Sequence, residues 1–169
     1  MKSRYSRNTK SVQVVPLLFE SYLSFIRLSV GSKSFQQFYC RVNGKKLEVM
    51  RDGQLSCAFF ASAVLKLFSL IGNVQLTVHR TMDDLMKSGW RPIKRPRIGC
   101  VIIWDEDVYS ERQDETYRKA YVGRHRHIGF YVGGGKAISS RKEKRTPTVH
   151  AWKFRPVEML LWHPRLDKK

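Results

Sequence analysis

One thiol stands where a polar turn gives way to an apolar run. In "DGQLSCAFFASAVLKLF", residues 52–68, Asp52-Gly53 signals a turn and Ser56 suits an N-cap. Phe59, Phe60, Ala63, Val64, Leu67 and Phe68 then recur at helical spacing. Cys57 thus falls in the first turn of a helix, where unpaired N–H groups and the positive end of the helix dipole favour a thiolate. The same position also suits a small core residue, because free cysteine is among the most buried types. A nucleophilic thiol needs a base, and histidine is the usual one. Five are present: His79, His125, His127, His150 and His163. His79 and His163 read as surface or structural residues. His127 opens the apolar run "HIGFYVGGGKAIS" directly after a polar loop. A strand-start position beside the start of a packed central helix is where an imidazole can reach a thiolate. His125 and His127 share a side of the strand, but no third residue stands at ligand spacing, so neither a metal nor a cofactor is expected.

The surrounding elements must hold these two groups. Pro16 suits the first turn of a helix that carries Leu17, Leu18, Tyr22, Phe25 and Ile26 on one side and ends near Gly31. Residues 35–42 are aromatic and apolar, and Asn43-Gly44 is a turn signal. The central helix is predicted from about Cys57 to Ile71. A shorter one runs from Thr81 to Lys87, capped by Thr81, with Asp83 and Asp84 at its positive end and Gly89 closing it. Strands follow at 101–104, 128–132, 136–139, 149–154 and 159–162. Helices first and strands later predict an α+β domain with a largely antiparallel sheet. Residues 105–126 form a long loop of mixed charge, functional or disordered. "SRKEKRTP", residues 140–147, reads as an exposed hairpin tip. The partition is a basic flexible tail at 1–10, one catalytic domain at 11–165 and a tail at 166–169.

Composition narrows the partners. Among 169 residues, 32 Lys+Arg against 14 Asp+Glu give a net charge of +18, which attracts polyanions such as nucleic acid or the anionic polymers of a cell envelope. Cys40, Cys57 and Cys100 include no CxxC pair, which argues against a zinc site or a disulfide framework. A Cys40–Cys100 bridge stays open if the protein is secreted. Glu20 and Arg27 interrupt the N-terminal apolar run, so no membrane span and no clear signal peptide are read there. The localisation is left open, and a monomer is expected.

"DGQLSCAFF", the "GW…P…GCVIIW" segment and "HIGFYVGGGKAIS" together resemble the NlpC/P60 and CHAP group of papain-like cysteine peptidases and amidohydrolases. The resemblance covers about residues 52–139. It implies a papain-like fold with N-terminal helices packed on a mainly antiparallel sheet, Cys57 as nucleophile and His127 as general base. Gly99-Cys100 stands where the family usually carries Gly-Asp. The family's third catalytic group lies on the strand after the histidine strand, a register that falls on Ser139, a poor orienter. His150 on the next strand substitutes if the hairpin folds back beside His127. Trp90 and Trp104 flank the groove or belong to the core. The implied chemistry is a thiolate, its pKa lowered by the helix dipole and a nearby imidazolium, attacking an amide carbonyl of peptidoglycan. The main-chain N–H of Cys57 would hold the oxyanion. The rival reading is a non-enzymatic polyanion-binding domain on the same fold.

Overall fold

A computed structural model describes residues 12–105 and 126–167. The basic tail, His125 and most of the 105–126 loop lie outside the described residues.

Helix α1, Leu18–Leu28, buries Tyr22 and Ile26 one turn apart. Pro16 falls ahead of its Leu17 cap rather than inside the first turn. The Tyr22 hydroxyl donates to the Gly99 carbonyl at 2.9 Å, tying the helix to the chain that leads into the sheet. Strands β1, Tyr39–Val42, and β2, Lys45–Glu48, form a separate antiparallel hairpin. Asn43 and Gly44 both take positive φ at its turn (47° and 81°), the sense that matches strand twist. Helix α2, Cys57–Leu67, is shorter than predicted, because the chain turns at Ser69 with φ 53°. Helix α3, Val78–Lys87, begins three residues before its predicted start. Its cap is Thr77, whose side chain accepts from the Arg80 N–H. Thr81 is buried inside the helix and donates back to the Thr77 carbonyl. Asp84 does not sit at the helix start either. It accepts the N–H groups of Gly72 and Asn73 and so clamps the loop before α3.

The main sheet comprises β3 (Arg91–Pro92), β4 (Val101–Trp104), β5 (His127–Gly133), β6 (Lys136–Arg141), β7 (Thr146–Ala151) and β8 (Val157–Trp162). Its order is β3-β8-β4-β5-β6-β7, and every pairing is antiparallel. The fold is therefore α+β, as the order of elements predicts. β3 falls in what the sequence reads as a loop, since two residues carry no periodicity. A short 3-10 helix, Pro164–Leu166, closes the chain.

Strand alternation gives β5 two different faces. Ile128 and Phe130 are wholly buried, and Phe130 meets Phe60 of α2 at 5.7 Å and Tyr22 of α1 at 5.9 Å, ring centre to ring centre. Rings removed from water in this way stabilise the fold by roughly 2–3 kcal/mol each. His127, Gly129 and Tyr131 point the other way. That second face carries His127, the base expected from the sequence.

Candidate active site

Three polar side chains cross neighbouring strands on a diagonal. His127 begins β5, Ser139 lies in β6, and His150 in β7 stands opposite Ala137. Gly129 opens the space between them. A Cβ there would come within 2.5 Å of the Ile138 carbonyl, 2.6 Å of the Ser139 Cβ and 3.1 Å of the Trp104 ring. The glycine of "HIG" thus has a steric cause: only hydrogen fits between the serine and the tryptophan.

His127 Nε2 lies 2.7 Å from Ser139 Oγ, and Ser139 Oγ lies 2.7 Å from His150 Nε2. His150 Nδ1 lies 2.9 Å from the Ala151 carbonyl. That carbonyl can only accept, so His150 Nδ1 donates. Burial, followed by the Arg141 charge, lowers the pKa of His150 and favours its neutral form. A neutral ring that donates from Nδ1 has its lone pair on Nε2. Nε2 then accepts the Ser139 hydroxyl proton, and Ser139 Oγ in turn accepts from His127 Nε2–H. Burial, with the charges of Arg155, His150 and Arg141, pushes His127 down to about 3. Its neutral ring is left with a lone pair on Nδ1. The polarity of the chain is thereby set by one main-chain carbonyl.

Cys57 is half-buried at the first residue of α2. The N–H groups of Ala58, Ile128 and Cys57 itself favour its thiolate, as does the Arg155 charge. The Ile128 N–H belongs to the peptide that joins His127 to Ile128, so the sulfur lies against the main chain beside His127. Nδ1 is the ring nitrogen nearest that main chain. Burial outweighs all the favourable contributions, and the thiol titrates above its ordinary value. The expected low-pKa thiolate beside an imidazolium is therefore corrected: burial favours the neutral form of the Cys57 thiol and of the His127 imidazole. Ser56 is also corrected. It occupies the cap position without capping, its hydroxyl donating to the Gly53 carbonyl and pairing with Ser140 Oγ.

Aromatic rings cover the two imidazoles. Trp104 lies 5.4 Å from the His127 ring and 5.6 Å from that of His150. Phe154 lies 4.4 Å from His150 and 5.8 Å from His127. The Trp104 Nε1–H donates to the Trp152 carbonyl, pinning the segment between β7 and β8 over the diagonal. Trp90 is remote from this cluster. It is buried in the core and donates to the Leu70 carbonyl.

The two candidate orienters, Ser139 and His150, are not alternatives but successive links. Cys40, Cys57 and Cys100 are all free thiols, so the Cys40–Cys100 bridge is not formed. Cys100 is the buried cysteine of the three, and desolvation raises its pKa to about 11. Among the described residues no group of three His, Cys, Asp or Glu side chains could hold a metal ion. Sequence reasoning missed Phe154 and the cations beside it, Arg141 and Arg155. The alternation of aromatic and basic residues in "WKFRP" was the available signal.

Fold and site together define an α+β domain with a cysteine at a helix start, a histidine at a strand start and a hydrogen-bonded chain behind the histidine. The sequence matches no family model and no curated protein.

Proposed function

We propose that the protein is a thiol-dependent hydrolase of the papain-like, NlpC/P60 kind that cleaves an amide bond, with peptidoglycan as substrate. The observation that carries this reading is the lone pair left on His127 Nδ1 by the Ser139–His150–Ala151 chain, beside the main chain against which Cys57 lies. His127 Nδ1 takes the Cys57 proton as the sulfur attacks the carbonyl carbon, so charge develops only during reaction. The oxyanion is held by the main-chain N–H groups at the start of α2. The C–N bond breaks as His127 returns its proton to the leaving amine, giving a thioester. Water, deprotonated by His127, then attacks the thioester, releases the carboxylic acid and restores the thiol. The hydrogen bond from His127 Nε2 to Ser139 keeps the ring in one tautomer throughout.

The test is hydrolysis of purified cell wall or a muropeptide by Cys57→Ser and His127→Ala variants. Both should be inactive yet folded, and full activity in either ends the proposal.

The net charge of +18 favours a second reading, a polyanion-binding domain. Binding that weakens steeply with salt, on duplex DNA as on cell wall and without hydrolysis, would establish it in place of the first.

A further inference from the structure

One stretch of the surface is apolar in a chain that carries a net charge of +18. Val12, Val14, Val15 and Leu17 precede α1 and are 87%, 83%, 64% and 62% exposed. Counting on from Leu17, Ser21, Ser24 and Leu28 follow at four-, three- and four-residue intervals, which places them on one side of the helix. All are exposed, Leu28 at 81%, and Phe25 lies beside them. This side is opposite Tyr22 and Ile26, the residues that α1 buries. No charged residue interrupts the stripe. Glu20 and Arg27 run along one flank, and Arg27 donates to the Val132 carbonyl. Surface helices ordinarily turn such residues inward, so five large aliphatic side chains held in water mark a surface that a partner covers.

Chemistry narrows the occupant. The eleven residues ahead of Val12 include Lys2, Arg4, Arg7 and Lys10, no Asp or Glu, and only Met1 and Tyr5 as apolar residues. That segment carries too little apolar surface to cover the stripe itself. A second copy is disfavoured, because pairing two stripes brings together two such cationic segments on chains that each carry +18. Whatever path the segment takes, Lys10 and Arg7 are two and five residues from Val12, within roughly 18 Å along the chain. Cations that close to protruding aliphatic side chains match an anionic lipid surface, whose headgroups take the charge while its acyl boundary takes the side chains. The main chain at residues 12–17 is in neither helix nor strand, so it suits the hydrated headgroup level.

We propose that residues 12–17 and the outer side of α1 seat the protein on an anionic lipid surface. The aliphatic side chains enter the acyl boundary, and the cations that precede them lie on the headgroups. The seat rests on the exposed stripe and not on the hydrolase reading, so loss of hydrolysis would leave it standing.

The experiment sediments the full chain with vesicles of phosphatidylcholine alone and with vesicles that hold about one third phosphatidylglycerol. The anionic vesicles should bind it roughly tenfold or more tightly than the neutral ones. A Val12→Ser, Val14→Ser, Leu28→Ser triple variant should lose roughly tenfold or more of that affinity. Its melting temperature should stay unchanged, since all three side chains are exposed in the free protein. Replacing Lys2, Arg4, Arg7 and Lys10 by Gln should weaken binding to the anionic vesicles and flatten its dependence on salt. Binding that the serine variant keeps in full and that salt abolishes is a charge-only contact and overturns the seat. Failure to bind either vesicle, or equal affinity for the two, overturns it as well. So does a concentration-dependent dimer in sedimentation velocity that the serine variant dissolves and that takes the place of vesicle binding.

Discussion

His127 and His163 each sit against a buried tryptophan, yet their hydrogen bonds end in different places. His163 lies 5.5 Å from Trp90, donates from Nε2 to the Ser88 carbonyl and accepts the Arg165 N–H at Nδ1. Both of its nitrogens are satisfied by main chain, and the ring works as a bracket between the end of α3 and the chain terminus. His127 lies 5.4 Å from Trp104, but its Nε2 partner is a side-chain hydroxyl whose own donor is turned toward a second imidazole. The difference lies in where the hydrogen bonds end. A histidine that ends them on both nitrogens stabilises the fold. A histidine that relays one through a side-chain hydroxyl keeps its other nitrogen out of that chain, as the proposed base requires.

Substitution should separate the two rings. His127→Ala should lower turnover by roughly a thousandfold or more, as loss of one member of a catalytic unit does, measured as amine released from a muropeptide. Ser139→Ala and His150→Ala should each lower kcat by roughly ten- to a hundredfold, because the ring stays in place but its tautomer is no longer imposed. His163→Ala should leave kcat of the folded protein unchanged while lowering stability by about 1–3 kcal/mol, the cost of unpaired buried groups. Thermal unfolding followed beside initial rates checks both halves. A large fall in kcat for His163→Ala, with stability intact, would erase the distinction.

A further effect concerns acid stability rather than turnover. The His127 pKa falls from 6.5 in the unfolded chain to about 3 in the folded one. As pH drops from 6.5 toward 3, the unfolded chain takes up a proton that the folded ring refuses, so this group progressively destabilises the fold. His150 is shifted in the same direction and adds to the slope. His127→Gln should flatten the fall in melting temperature across that window, and an unchanged slope would contradict the assigned shift.

The sequence made the ends of the site legible and left its middle unread. The helix start at Cys57 and the strand start at His127 follow from local patterns, a turn before an apolar periodic run in each case. Ser139 follows from the register that the family resemblance implies on the strand after the glycine turn. His150 does not, because its position depends on how β7 pairs with β6, and a hairpin tip of charged residues does not fix that pairing. The two therefore looked like competitors when they are consecutive. The protonation state was misread for a related reason. A helix start predicts a stabilised thiolate only in a hydrated setting, and burial at Cys57 outweighs the N–H groups around it. Ser56 and Thr81 failed as caps because each found a different partner: Ser140 for one, the Thr77 carbonyl for the other.

The central claim is that His127 is a neutral base whose lone pair lies on Nδ1. Long-range ¹H–¹⁵N correlation spectra of the imidazole rings, recorded on the full chain near pH 7, report this directly. The arrangement predicts a protonated Nε2 and bare Nδ1 for His127, with the opposite tautomer, protonated at Nδ1, for His150. A His127 ring that carries its proton on Nδ1, or on both nitrogens, would contradict it.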